Sequence, residues 1–199
     1  MMLLVHASPT TLERYRTPEL GVLCSPRRVY GDELPGWTWA ADNDAFSAWD
    51  ESRYLEMLDR IEGRPGCVFV TAPDRVGDAY GTLRLFDEWF PRLEGRFPIA
   101  YVLQDGQENE PVPWQAIDAV FVGGSDTFKM GEIAAELVRD AKARGLWAHM
   151  GRVNGHRRLR YAKALDCDSV DGTSLSWFRD RWLAEYLAHA AQPAQGLLA

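Results

Sequence analysis

The sequence predicts an α/β fold, a compact (β/α)8 TIM-like barrel built as a single domain. Eight short apolar runs of strand length follow one another along the chain, and stretches of helical periodicity lie between them. Acidic, amide and glycine residues recur just past those runs: Asp42, Asp74, Gln104, Gly123 with Gly124, Met150 and Asp171. In a closed barrel of parallel strands the strand ends meet at one rim, so residues distant in sequence become neighbours.

The strand candidates in order are Leu3–His6, Gly21–Cys24, Thr38–Ala41, Cys67–Thr71, Ile99–Leu103, Ala119–Val122, Leu146–Met150 and Cys167–Val170. Between them, Glu51–Ile61 carries Leu55, Leu58 and Ile61 on one helical face, and Glu132–Arg144 does the same with Ile133, Leu137 and Ala141. Gly145 follows as a helix stop. The stretch Ser25–Gly36 holds two prolines and reads as a loop, so a helix is missing after the second strand. A last helix spans about Leu175–Ala190, with Trp182, Leu183 and Tyr186 suited to packing, and the tail after it is expected to fray. Nothing resembling a repeat, a linker or a second domain interrupts this order.

The 199 residues suffice for one core. With 46 % hydrophobic and 26 % charged residues the composition is that of an ordinary globular protein. No apolar stretch approaches the roughly 20 residues that cross a bilayer, and Met1–His6 lacks the features of a signal peptide, so a soluble cytoplasmic protein without a membrane partner is expected. Cys24, Cys67 and Cys167 are isolated and odd in number, which speaks for small buried residues rather than disulfides or a thiolate metal site. His6, His149, His156 and His189 lack metal-site spacing along the chain, so no metal or other cofactor is expected. The net charge of −7 disfavours wholesale wrapping of nucleic acid. One dense basic segment remains, Arg152, His156, Arg157, Arg158, Arg160 and Lys163; it reads as a solvated helix face or as a phosphate contact beside the site, through Arg152, Arg157 and Arg158. Of the eight Trp residues, Trp37, Trp39, Trp49, Trp89 and Trp114 exceed what so small a barrel's core can hold; partly exposed packing, a dimer face or a stacking surface would take the excess.

Two carboxylates at strand ends can run a displacement at a sugar carbon, one as nucleophile and one as proton carrier. Asp42 and Asp171 hold such positions; each could equally cap a helix or shape a turn. Alternation along the last strand puts Ser169 and Asp171 on one face and Asp168 and Val170 on the other. Either acid can reach the rim, and Asp171, next to Gly172, is the better placed. Gly123–Gly124 follows an apolar strand, where it serves as a turn or lets the backbone approach a ligand. No P-loop or dinucleotide glycine pattern and no Ser-His hydrolase motif is present.

Together these positions resemble the tRNA-guanine transglycosylase superfamily, which exchanges guanine for a 7-deazaguanine through a covalent glycosyl-aspartate. That family's Asp-Ser-Gly-Gly-aromatic motif is similar to Asp42-Asn43-Asp44-Ala45-Phe46, and the resemblance implies proton transfer by Asp42 and stacking on the base by Phe46. It further implies base reading by Asp74, Gln104 and the Gly123–Gly124 backbone, packing by Met150 in Met150-Gly151, and a nucleophile from Asp168-Ser169-Val170-Asp171. By the resemblance Asp171 is that nucleophile and Asp168 a neighbouring substrate contact. The matches span residues 42 to 171 in family order.

The departures are specific. The family's cysteine-rich zinc module is absent, and Asp44 and Ala45 replace the paired glycines, which crowds the pocket and adds a charge. A small zinc-free chain is most similar to the DpdA-like branch of phages and bacterial modification clusters, which inserts 7-deazaguanines into DNA. DNA rather than tRNA is therefore the expected partner, with the deazaguanine base as second substrate and further proteins as possible partners. A nucleoside or base N-glycosidase, and a non-catalytic base- or DNA-binding subunit of a modification complex, are the competing readings.

Overall fold

The computed structural model describes residues 1–30, 35–47, 49–172 and 180–192, with helix but no side chains at 180–182. Eight parallel strands close into a barrel in sequence order: β1 (Met2–Val5), β2 (Leu20–Cys24), β3 (Trp39–Ala41), β4 (Cys67–Thr71), β5 (Ile99–Leu103), β6 (Ala119–Val122), β7 (Trp147–Met150) and β8 (Ser169–Val170). Seven described helices alternate with them: α1 (Pro9–Arg14), α2 (Glu51–Ile61), α3 (Ala79–Leu93), α4 (Asp126–Lys129), α5 (Glu132–Ala143), α6 (His156–Ala164) and α7 (Asp180–Ala191). The (β/α)8 expectation holds. The described residues of the β2–β3 connection carry no helix, only an isolated bridge between Ser25 and Arg28. The start predicted for the last helix, residues 175–179, lies outside the described residues, as does the Trp182 side chain.

Short polar side chains start the helices by accepting backbone N–H groups that the helix leaves unpaired. Ser8 caps α1, Asp50 caps α2 through the Arg53 amide, Asp78 caps α3 through the Gly81 amide, and Ser125 caps α4. The apolar faces of α2 (Tyr54, Met57, Leu58, Ile61) and α3 (Phe86, Trp89, Leu93) then bury against the outside of the sheet.

Two apolar layers result from strand alternation. Leu4, Leu23, Ala40, Phe69, Ala100, Val102, Ala119 and Phe121 fill the barrel interior. Their strand neighbours, among them Val5, Val22, Ala41, Val70, Leu103, Val122, Met150 and Val170, face outward into the larger layer beneath the helices. Trp37, Trp39 and Trp89 are buried there as well, so most of the tryptophan surplus goes into the helix-facing layer. Trp49, 40 % exposed, packs edge-on against Trp89, and Trp114 lies under the Arg144 guanidinium. An apolar cavity of about 260 Å³, lined by Val22, Tyr30, Trp37, Trp39 and Ile61, opens beside the β2–β3 connection. The three cysteines are free, and burial pushes their thiols up, those of Cys67 and Cys167 to about 12. Among the described residues no helix is long and apolar enough to cross a membrane.

Gly66 shows how tightly the strand starts are spaced. It sits at φ +88°, its carbonyl accepts the Trp39 amide, and a Cβ would stand 2.5 Å from the Trp37 carbonyl oxygen. Gly66→Ala should therefore destabilise the fold by about 2–4 kcal/mol, read as a lowered denaturant midpoint at unchanged slope.

Candidate active site

Continuing each strand's alternation by one step past the interior layer gives the residues that face the rim. They are His6 after β1, Ser25 after β2, Asp42 after β3, Thr71 ending β4, Gln104 after β5, Gly123 after β6 and Asp171 after β8. Two connected spaces open there. A basin of about 680 Å³ is lined by His6, Arg27, Arg28, Asp42, Asp44, Phe46, Arg152, Arg158 and Asp171 among others. A recess of about 70 Å³ lies deeper, between Asp42, Asn43, Asp74, Gln104, Phe121, Gly123, Gly124 and Asp171, with Phe46 and Arg152 bordering both.

Asp171 receives two N–H donors. His149 Nε2 lies 3.0 Å from Oδ2, and the Arg152 amide donates to Oδ1 at 2.9 Å. Burial pushes Asp171 up, but the hydrogen bonds from His149 and the Arg152 amide outweigh it and hold the carboxyl below its ordinary value. Asp42 stands in the opposite condition. Among the described residues its carboxyl accepts one hydrogen bond, from the Asn43 amide at 2.8 Å, and burial followed by the charges of Asp171, Asp44 and Asp74 pushes it up to about 8. The pocket thus pairs an ionised acid with a protonated one.

Asp74 is pushed up to about 6 by burial, against the opposing pull of Asn43, Gln104 and Arg152. Asn43 Nδ2 donates to its Oδ1 at 2.7 Å and Gln104 Nε2 to its Oδ2 at 2.6 Å, while Gln104 Oε1 accepts the Gly77 amide. These three side chains form one polar wall of the recess. Of the glycine pair, Gly123 spends its amide on the Leu103 carbonyl. Gly124 sits at φ +71°, with a Cβ position 2.6 Å from Asp105 Oδ2, so glycine is required at that turn. Asp105 in turn holds the Ser125 amide and hydroxyl, fixing the loop.

Arg152 has a left-handed backbone, φ +57°, which is costly for a residue with a side chain. Its guanidinium donates to the Gly124 carbonyl and lies 3.9 Å from the centre of the Phe46 ring. Phe46 is 62 % exposed. Of the other predicted phosphate contacts, Arg158 bonds Asp126 and the Arg152 carbonyl, and Arg157 is exposed on α6.

Two expected site residues lie elsewhere. Met150 faces outward, buried in the layer between sheet and helices, because the inward position of β7 belongs to His149. Asp168 sits at the opposite end of β8, where its carboxylate takes the Lys142 ammonium at 2.6 Å and the Ala148 amide at 2.8 Å. Its face is opposite that of Asp171, and it contacts no recess residue among those described.

His149, Asn43, Arg27 and Arg28 are the residues sequence reasoning passed over. The alternation signal was present for His149, two residues beyond inward Trp147. His6, held down by burial, faces Asp171 and Asp44. Away from the rim, His156 on α6 comes together with Glu185 and His189 on α7, their ligand atoms within 4.8 Å of one another. The chain spacing of the histidines gave no sign of this grouping, which could hold a metal ion.

The raised acids make stability depend on pH. Asp42, with a folded value of about 8 against an ordinary carboxylate in the unfolded chain, stabilises fully at acid pH and loses that contribution as pH rises through about 8; Asp74 does the same through about 6. Asp171 runs the other way, its contribution lost as pH falls. Chemical denaturation should show Asp42→Asn more stable than the unaltered chain above pH of about 8, by several kcal/mol, with the difference shrinking towards pH of about 5. No protein-family model matches the chain, and no curated protein matches it.

Proposed function

We propose that the chain is a base-exchanging transglycosylase that replaces guanine in DNA with a 7-deazaguanine through a covalent glycosyl-aspartate. One observation carries the reading: Asp171, held by two N–H donors, and Asp42, with one donor and a carboxyl pushed up to about 8, line one recess at the barrel rim. A double displacement at a sugar carbon needs that division between a nucleophile and an acid. The resemblance noted from Asp42 to Asp171 supplies the substrate class.

The target nucleotide leaves the stack and enters the basin, since its glycosidic carbon is inaccessible in a duplex. Phe46 offers a ring for the base to stack on, and the Asp74, Asn43 and Gln104 wall supplies donors and acceptors for its polar edge. Asp171 attacks C1′ as the C1′–N9 bond breaks, and Asp42 gives its proton to the departing guanine. The deazaguanine then returns a proton to Asp42 and attacks C1′ from the side guanine left, releasing the Asp171 carboxylate. Two inversions give retention. In this scheme Arg27, Arg28 and Arg158 on the basin wall, with Arg157 beyond it, meet backbone phosphates despite the net negative charge. Asp168 and Met150 have no part in this scheme.

Purified protein incubated with guanine-containing duplex DNA and 7-cyano-7-deazaguanine should yield the deazaguanine nucleoside by mass spectrometry. Asp171→Asn should abolish both product and covalent trapping, Asp42→Asn should slow exchange by roughly 10²–10⁴-fold, and the rate should fall as pH rises through about 8. Guanine released without incorporation would identify an N-glycosidase instead, and base bound without any turnover a binding subunit.

A further inference from the structure

Trp147, His149 and Ser169 occupy inward positions on the adjacent strands β7 and β8, beneath Asp171. His149 has no exposed surface, and its ring packs against Phe121 and Phe69 at centroid distances of 4.5 and 5.2 Å. Its Nδ1 lies 2.8 Å from Ser169 Oγ, which also receives the Trp147 indole N–H at 2.8 Å.

The donor inventory fixes the direction of this chain. An indole N–H only donates, and an ionised carboxylate only accepts. With Asp171 ionised, His149 carries its hydrogen on Nε2 and accepts the Ser169 hydroxyl on Nδ1. Every hydrogen then has an acceptor, running Trp147 to Ser169 to His149 to Asp171. A doubly protonated ring would aim an N–H at Ser169 Oγ and strand the serine hydrogen, for which no other acceptor occurs among the described residues.

We propose that His149 is a positioning residue, an Nε2–H imidazole locked by Ser169 and Trp147, which aims Asp171 and supplies one of the two N–H donors that set it apart from Asp42. This rests on the reading of Asp171 as the nucleophile. Two acids in one field cannot both ionise freely, so the one with more donors keeps the charge. Asp171 has two, and Asp42 has one and faces three carboxylates. The other groups around Asp171 do not replace the His149 bond. His6 on the β1 side is itself held down by burial, Arg28 gives its guanidinium to the Ala7 carbonyl, Asp42 and Asp44 on the β3 side repel, and Arg152 on the β7 side already gives its amide.

Three variants separate positioning from proton transfer. In His149→Phe an aromatic ring is kept and the donor lost. In His149→Gln an amide presents an acceptor and a donor with no titratable proton. Ser169→Ala removes the lock and serves if the phenylalanine variant does not fold. In the unliganded protein, ¹⁵N spectra of labelled histidine should show the Nε2–H form at His149, and ¹³C titration of labelled aspartate should show Asp171 titrating at higher pH in His149→Phe, with His149→Gln close to the unaltered chain. In the exchange assay, His149→Phe should lower covalent trapping roughly 10- to 100-fold on the acid side and recover as pH rises, while His149→Gln retains most of the rate. An unchanged Asp171 titration in both His149→Phe and Ser169→Ala, or an Nδ1–H ring, overturns the proposal. A glutamine variant as inactive as the phenylalanine one also overturns it, because the imidazole would then be moving a proton. If the unaltered chain exchanges no base while the Asp171 titration moves as expected, the transglycosylase reading falls and the role of His149 towards Asp171 stands.

Discussion

Closure of the barrel through its shortest strand is the constraint on which the rest depends. β8 contributes two residues, Ser169 and Val170, yet pairs on both sides, with His149 and Met150 of β7 and with Met2 and Leu3 of β1. So short a ladder needs outside support. Asp168 supplies it: its backbone bonds Met2 and Ala148, and its carboxylate takes the Ala148 amide together with the Lys142 ammonium from α5. The acid that resembles a substrate contact in sequence is the pin that sets the register of the acid three residues later. With the register set, Asp171 faces His6 across the β1–β8 seam and Asp42 across the rim.

Gathering carboxylates at one rim creates an electrostatic problem, and each acid meets it differently. Asp171 keeps its charge because two N–H donors are aimed at it. Asp74 is bonded by two side-chain amides, which pull against the burial that raises it. Asp44, at φ +60°, lies 3.8 Å from the Arg27 guanidinium at the edge of the basin. Asp42 has the weakest support and takes the proton. A protonated acid and an ionised one side by side are thus a product of unequal hydrogen bonding, in the way that burial and neighbours divide roles between paired carboxyls.

The eight strands were legible because each apolar run is bounded by turn residues, and predicted and observed ends differ by two residues at most. Asp42, Asp74, Gln104, the glycine pair and Asp171 were legible for the related reason that strand ends converge. Met150 was not, because position past a strand says nothing of facing; the two-residue period does, and it selects His149. Asn43 hides between two aspartates in a segment with no period, and its role appears only when the chain folds back on Asp74. Arg27 and Arg28 lie in a loop whose composition reads as connection, and their place on the basin wall appears only in the fold. Of the five tryptophans, Trp37, Trp39 and Trp89 are buried in the helix-facing layer, the larger of the two, and Trp49 and Trp114 take the partly exposed packing expected of the excess.

Arg152 joins these features. Its amide holds Asp171, its carbonyl receives Arg158, and its guanidinium reaches the Gly124 carbonyl and covers Phe46. A left-handed arginine persists only where its surroundings over-determine it, and four contacts on separate elements do so here. Asp171, the glycine turn after β6 and the exposed ring after β3 are therefore mechanically linked through one backbone position. The guanidinium that covers Phe46 and the amide that donates to Asp171 belong to this one residue. The backbone position that shields the Phe46 ring is thus also the one that donates to Asp171.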